Sequence, residues 1–236
     1  MGLFSFLEPK KSLQDSGVLR GTIDCHSHIL FGVDDGVATV EESLAVLEYL
    51  ESLGVKEIWC TPHIMEDVPN TTDFLKERFA QLCSLYNGPI TLHLAAEYML
   101  DTIYEARLKD SDLLVMEDDT VLVETSVVVA PYDLKGMLQE AMSKGYRPMF
   151  AHPERCRYLE VTDCKALHES GVRFQLNIAS LVGYYGKTAK AIAEALLKES
   201  LYSAYGSDCH RMRTVKEQYA RKELADKTIR QIKNIK

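Results

Sequence analysis

The chain has 236 residues, 46% of them hydrophobic and 26% charged, with a formal net charge of −8 at pH 7. That size suits one substantial core, and the acidic balance gives no general attraction for a polyanion, which argues against a nucleic-acid ligand. Six cysteines without paired CxxC spacing fit reduced thiols in a cytoplasm rather than a disulfide-stapled scaffold.

The apolar start, Met1 to Leu7 ahead of Glu8, has neither a basic lead nor the length of a signal peptide or membrane span. It also fails the myristoylation pattern, because Phe6 stands where Ser or Thr is required. Residues 1–20 are read as an arm that docks on its own domain, on a partner or on a membrane surface, its own domain preferred, and 21–236 as a single domain with a C-terminal helix. Beyond the arm, β-prone segments at 22–25, 57–60, 91–95, 121–124, 147–151, 173–176 and 201–205 alternate with segments of helical periodicity, the sequence form of repeated βα units. The helical segments are 40–53, 72–86, 133–144, 162–170 and 188–199, followed by a charged helix from Thr214. Leu44, Leu47 and Leu50 fall at helical spacing in the first, and Thr39 with Glu42 has the form of a capping box at its start. The stretches Ile64 to Thr71 and 96–120 read as the longest irregular connections, suited to shaping a cleft. Cys60, Cys83 and Cys209 lie in apolar runs and read as small buried side chains.

Metal-capable residues recur at or just after the C-terminal ends of these strands. His26 and His28 follow 22–25, His63 follows 57–60, Glu97 follows 91–95, Glu124 ends 121–124, His152 follows 147–151, and Asp208 and His210 follow 201–205. In a βα barrel the loops at that face converge on one mouth, so such residues meet in space. Residues i and i+2 of an extended segment share a face, so both imidazoles of His26-Ser27-His28 can address one ion, and Asp208-Cys209-His210 repeats the spacing. Imidazole with carboxylate suits Zn, Mn or Fe and favours catalysis over a structural, cysteine-rich site. His93 and His168 lack this placement and read as ordinary strand-surface and helix-surface residues.

The run Asp24-Cys25-His26-Ser27-His28-Ile29-Leu30-Phe31-Gly32-Val33-Asp34-Asp35-Gly36 resembles the opening motif of bacterial protein-tyrosine phosphatases of the polymerase-and-histidinol-phosphatase (PHP) type, associated with capsule and exopolysaccharide synthesis. Thr61-Pro62-His63, Ala96-Glu97, Val123-Glu124, Ala151-His152-Pro153-Glu154-Arg155 and Ser207-Asp208-Cys209-His210 continue the resemblance in order across most of the chain. It implies a distorted seven-stranded (β/α)7 TIM-like barrel with three divalent ions at its mouth, Mn favoured and Fe or Zn the alternatives. It also implies that His26, His28, Glu97 and Asp208 hold the first ion, that Glu97 bridges to a second held with Glu124 and His152, and that Asp35, His63 and His210 hold the third. Arg155 matches the phosphate-contacting arginine. A second arginine is expected after the last histidine, and Arg211 and Arg213 both qualify, with Arg213 preferred. The substrate implied is a phosphotyrosyl protein, the tyrosine-rich tail of a bacterial kinase controlling polysaccharide export, with membrane association only through that kinase.

Elementary electrostatics agrees, since three divalent ions against Asp35, Glu97, Glu124 and Asp208 leave roughly +2 for a phosphate dianion before Arg155 is counted. Hydrolysis by a metal-activated hydroxide is the expected chemistry. No cysteine has an arginine six positions later, which excludes the thiol-phosphatase loop, and Asp110-Ser111-Asp112 lacks the strand that an aspartyl-phosphate enzyme needs. The alternatives are a histidinol-phosphate or other small-phosphomonoester phosphatase on the same fold, a nuclease of the same fold, which the acidic charge disfavours, and a non-catalytic adaptor that binds a kinase.

Overall fold

The computed structural model describes residues 9–235; Met1 to Glu8, the apolar part of the predicted arm, lie outside the described residues. From residue 9 on, Lys11 forms an antiparallel bridge with Leu224. The short helix α1 (Leu13–Ser16), capped by the Ser12 hydroxyl, places Leu13, Val18 and Leu19 in the core.

The elements then alternate as β1 (Ile23–Ser27), α2 (Val40–Ser52), β2 (Glu57–Cys60), β3 (His63–Ile64), α3 (Thr72–Leu85), β4 (Thr91–Leu94), β5 (Glu97–Met99), α4 (Thr102–Asp110), β6 (Thr120–Glu124), α5 (Leu134–Ser143) and β7 (Arg147–Ala151). The remainder is α6 (Val161–Glu169), β8 (Arg173–Asn177), α7 (Ile178–Leu181), α8 (Lys187–Lys198), β9 (Tyr202–Gly206), α9 (Met212–Ala220) and α10 (Asp226–Ile232). The helices α2 to α6 start where a side chain satisfies free backbone N–H groups. Thr39, Thr71, Asp101 and Asp133 accept from the first turns of α2, α3, α4 and α5, and Glu160 and Asp163 cap α6 reciprocally.

All strand pairings within the sheets are parallel, in the orders β1-β2-β4 and β3-β5-β6-β7-β8-β9. The segments expected as strands at 57–60 and 91–95 form β2 and β4, and each is followed by a further short strand, β3 and β5, in the other sheet. Thr61-Pro62 separates β2 from β3, and Ala95-Ala96 separates β4 from β5. Hydrogen bonds from Ala95 N to Cys60 O and from Glu97 N to Pro62 O, both 3.0 Å, carry the pairing across the break. β1 and β9 meet through the Ser27–Cys209 parallel bridge and the bonds Asp208 N to His26 O (2.8 Å) and His28 N to Cys209 O (3.1 Å).

Side chains alternate between two apolar clusters, as the period of two in a strand requires. Val121, Val123, Phe150 and Tyr205 enter the large cluster under the helices, while Leu122, Met149, Ala151 and Ala204 enter a smaller one with Ala95 and Met116. Both faces of these strands are therefore buried, as parallel sheets demand.

Three local expectations change. The stretch 96–120 contains β5 and the full helix α4. The charged tail forms two helices instead of one, because Leu224 pairs in both directions with Lys11 at 2.9 Å and interrupts helical hydrogen bonding. Cys60 and Cys209 are buried, but Cys83 is exposed, because α3 buries only Leu75 and Leu82.

Candidate metal centre

Nine side chains from six strand ends converge on one polar cage. The loop after β1 supplies His28 and Asp35, β1 itself supplies His26, β3 His63, β5 Glu97, β6 Glu124, and the turns after β7 and β9 supply His152, Asp208 and His210. His26 Nε2 lies 3.0 Å from His28 Nε2, and these two nitrogens lie 3.2 and 3.3 Å from Glu97 Oε2. They lie 3.6 and 3.5 Å from Asp208 Oδ1. His152 Nε2 is 3.2 Å from Glu97 Oε1 and 3.8 Å from Glu124 Oε2. His63 and His210 each present Nε2 to Asp35 Oδ1, at 3.5 and 3.4 Å. His63 Nδ1 stands 3.1 Å from both Glu97 and Glu124.

These separations fit divalent ions. Donors at about 2.1 Å from one ion lie about 3.0–3.4 Å from each other in octahedral or tetrahedral arrangements. Four groups of ligand atoms lie within 4.8 Å of one another, namely His28-Asp35-His63-His210, His26-His28-Asp208, His26-Glu97-His152 and His63-Glu97-Glu124. Despite its closeness to two carboxylates, His63 Nδ1 makes no hydrogen bond, as expected of donors arranged around a shared cation rather than bonded to one another.

The charges give the same answer. His26 and His28 are fully buried, and Glu97 and Asp208 nearly so. Burial opposes charge on His26, yet Glu97 and Asp208 outweigh it and lift the imidazole to about 9. Burial also opposes charge on His63, which the adjacent carboxylates of Glu124 and Glu97, both 3.1 Å from Nδ1, raise to about 11. For Glu97 and Asp208 burial works against ionisation, but His26 and its neighbours hold both carboxyls far below the ordinary range. The cage therefore demands positive charge, which protons or metal ions can provide.

Backbone geometry aims the ligands. His152 and Asp208 have positive φ, 36° and 51°, a conformation costly for side-chain-bearing residues and tolerated where the surroundings enforce it. Gly206 lets β9 approach β1, since a Cβ there would meet His26 Cβ at 2.4 Å and His26 N at 2.9 Å.

A supporting layer escapes a reading by strand ends. Asp34 Oδ2 accepts from His28 Nδ1 at 2.8 Å and from His63 N at 3.0 Å, while Oδ1 accepts from Gly36 N at 2.9 Å. Gln175 Oε1 accepts from His26 Nδ1 at 2.9 Å, and Asn177 Nδ2 donates to Asp208 Oδ2 at 2.9 Å. Such partners fix ring orientation and tautomer. Asp34 adjoins Asp35 in the opening motif, and nothing in the sequence separates their roles.

Arg155 is held at the rim, donating to Asp208 Oδ2 at 2.5 Å and lying 4.4 Å over the Tyr185 ring. Arg211 is exposed and donates to the His210 carbonyl at 2.9 Å. Arg213 is exposed in the first turn of α9, and neither arginine reaches a cage ligand by ion pair among the described residues. Away from the cage, His93 pairs with Glu57 at 2.9 Å and stacks on Trp59, and His168 packs on Phe174.

Comparison with known proteins bears on this site. Residues 22–232 match the family described as capsular polysaccharide synthesis, CpsB/CapC. The chain is 30% identical over 199 residues to the tyrosine-protein phosphatase YwqE of Bacillus subtilis, covering 81% of this chain and 78% of that one. It is 29% identical over 209 residues to the tyrosine-protein phosphatase CpsB of Streptococcus agalactiae, covering 80% and 83%. Among solved structures, one from work on YwqE of Bacillus subtilis and CpsB of Streptococcus pneumoniae, described as unique metal-dependent tyrosine phosphatases, superposes with a TM-score of 0.76 at 28% identity. That superposition covers 82% of this chain and 81% of the other. A lactonase of Listeria monocytogenes superposes with a TM-score of 0.54 at 10% identity, a likeness of fold alone.

Proposed function

This chain belongs to the capsular polysaccharide synthesis family CpsB/CapC, and from that premise we propose that it is a metal-dependent phosphatase acting on phosphotyrosine in protein. The observation that carries the reading is the cage itself: nine nitrogen and oxygen ligands at coordination spacing, with an arginine at its rim. On the family resemblance we distribute three divalent ions, Mn favoured, as His26-His28-Glu97-Asp208, Glu97-Glu124-His152 and Asp35-His63-His210; all nine residues fall in the four groups of clustered ligand atoms. Such ions supply Lewis acidity and water activated near neutral pH.

The protein's own part is positioning. Asp208 and Tyr185 fix the Arg155 guanidinium, so it can bear on the equatorial oxygens of a phosphoryl group without reorganising. Arg213 is our choice for the second phosphate contact, from the start of α9. The phenolate leaving group, with a pKa of about 10, lessens the need for a general acid. We take the two sheets, joined through β1 and β9, as a distorted seven-segment barrel forming one domain over 21–236, with residues 1–20 as its arm. The cellular substrate we favour is the tail of a bacterial tyrosine kinase governing polysaccharide export, met in the cytoplasm. No helix among the described residues is long and apolar enough to cross a membrane.

All nine ligand positions that the resemblance implies are filled in this chain, which speaks against a non-catalytic adaptor. The reading is tested by comparing Mn-loaded protein on phosphotyrosyl peptides, histidinol phosphate and sugar phosphates. It expects the highest kcat/KM on the peptides; preference for histidinol phosphate would overturn the substrate assignment, and inertness toward p-nitrophenyl phosphate would favour the adaptor.

A further inference from the structure

Beside Arg155 and Tyr185 lies a cavity of about 420 Å³ that Arg157, Lys187 and Thr188 also line. Three cations thus gather in one hollow of a chain whose net charge is −8. Arg157 and Lys187 are exposed, and neither has an ion-pair partner among the described residues, in contrast to Lys190, which pairs with Glu223 at 3.0 Å. The acid lining the cavity, Glu154, is buried and turned to other partners. Its Oε1 accepts from Asn177 N at 2.9 Å and from the Ser180 hydroxyl at 2.8 Å, and its Oε2 accepts from the Tyr202 hydroxyl at 3.0 Å. It does not neutralise the hollow's surface.

Two features open this hollow to a peptide. The first turn of α8 forms part of its wall, and the N-cap there is Gly186 without a side-chain acceptor, so the positive end of the helix adds to the field. Arg157 N donates to Val127 O at 2.9 Å, tying the cavity to the loop after β6, where Val128 and Val129 are 56% and 66% exposed. That loop starts at the cage ligand Glu124. Arg155 thus links the cage, through Asp208, to the cationic hollow it lines, and Arg157 links that hollow to the loop with the exposed valines.

We propose that this cavity receives an anionic group carried by the same peptide as the phosphotyrosine, either a carboxylate or a second phosphoryl group. The inference rests on the phosphotyrosyl-protein reading above and names what flanks the scissile phosphate. Arg155 touches both sites, the cage through Asp208 and the hollow through its side chain, so the two anions would sit on either side of one guanidinium. Specificity of this kind is electrostatic and screened by salt.

The test compares the full-length, Mn-loaded protein with the double variant Arg157→Ala/Lys187→Ala, which leaves the cage and Arg155 untouched. Four substrates are used: p-nitrophenyl phosphate, a phosphotyrosyl peptide with neutral flanks, the same peptide with glutamates within three positions, and the same peptide with a second phosphotyrosine. The wild-type protein is expected to favour an anion-flanked peptide over the neutral one by roughly threefold to tenfold, through KM, at low salt. The double variant should lose that preference while handling p-nitrophenyl phosphate and the neutral peptide as before; which anionic peptide wins identifies the group. Turnover of all peptides without preference, or a preference the double variant keeps, would overturn the subsite alone. Turnover of p-nitrophenyl phosphate with none of any peptide would overturn the phosphotyrosyl reading and the subsite together.

Discussion

Asp34→Ala is the sharpest probe of how the cage is held. Asp34 belongs to none of the four groups of clustered ligand atoms but holds two residues that do, through the His28 ring at 2.8 Å and the His63 backbone N–H at 3.0 Å, and braces the turn at Gly36 N at 2.9 Å. Its carboxyl is held below the ordinary range: burial opposes ionisation, and the His28 hydrogen bond with the two backbone N–H groups overcomes it. One hydrogen bond to a charged group is worth about 1.5–3 kcal/mol, about 10- to 100-fold in an equilibrium, which matches the usual cost of removing a metal ligand's orienting partner. Metal affinity measured by chelator competition should fall by that factor, with activity recovering at saturating Mn²⁺. Asp34→Asn, which can still accept from His28 and His63, should lose less. Wild-type affinity in a folded Asp34→Ala protein, checked by thermal unfolding, would refute the reasoning.

Arg155→Ala should lower kcat on p-nitrophenyl phosphate by about 10²-fold or more with metal content retained; unchanged turnover would remove Arg155 from the mechanism. Gly206→Ala forces a Cβ to 2.4 Å from His26 Cβ, so it should cost about 1–3 kcal/mol in denaturant unfolding and weaken metal binding with it; a neutral result would mean that β9 can move away from β1 freely. Loading Mn²⁺ into metal-stripped protein at pH 7 should release protons. His26 and His63, raised to about 9 and about 11 in the metal-free cage, are charged at that pH and must deprotonate to bind. Calorimetry in buffers of different ionisation enthalpy reads this. Apparent affinity should rise with pH up to those values, and a heat independent of buffer would contradict the assignment.

Much of this architecture is legible in the sequence because parallel strands buried on both faces leave strong apolar runs, and because the fold gathers strand ends at one mouth. Segments such as 147–151, with Phe150 and Met149 on opposite faces, announce themselves. Five histidines and the acids Glu97, Glu124 and Asp208 stand out by where those runs stop. The break between β4 and β5 does not, since Ala95-Ala96 reads as continuing strand and only the partner strand reveals the change of sheet. α4 is also muted, as Tyr104 and Leu108 alone are buried along it. The split of the C-terminal tail depends on Lys11, more than two hundred residues away, and no local signal carries it. Among the site residues, Asp34, Gln175 and Asn177 act through other side chains, so their roles follow from three-dimensional contacts and not from residue type. Cys83 illustrates the opposite error, an apolar run that belongs to an exposed helix face.

The decisive measurement is an anomalous-difference map from crystals of the Mn-loaded protein. Three peaks are expected within the cage, each about 2.0–2.3 Å from its ligands, with one peak shared by His26, His28 and Asp208. A map in which those three side chains bind no ion, or in which manganese sits elsewhere on the chain, would contradict the account at its root.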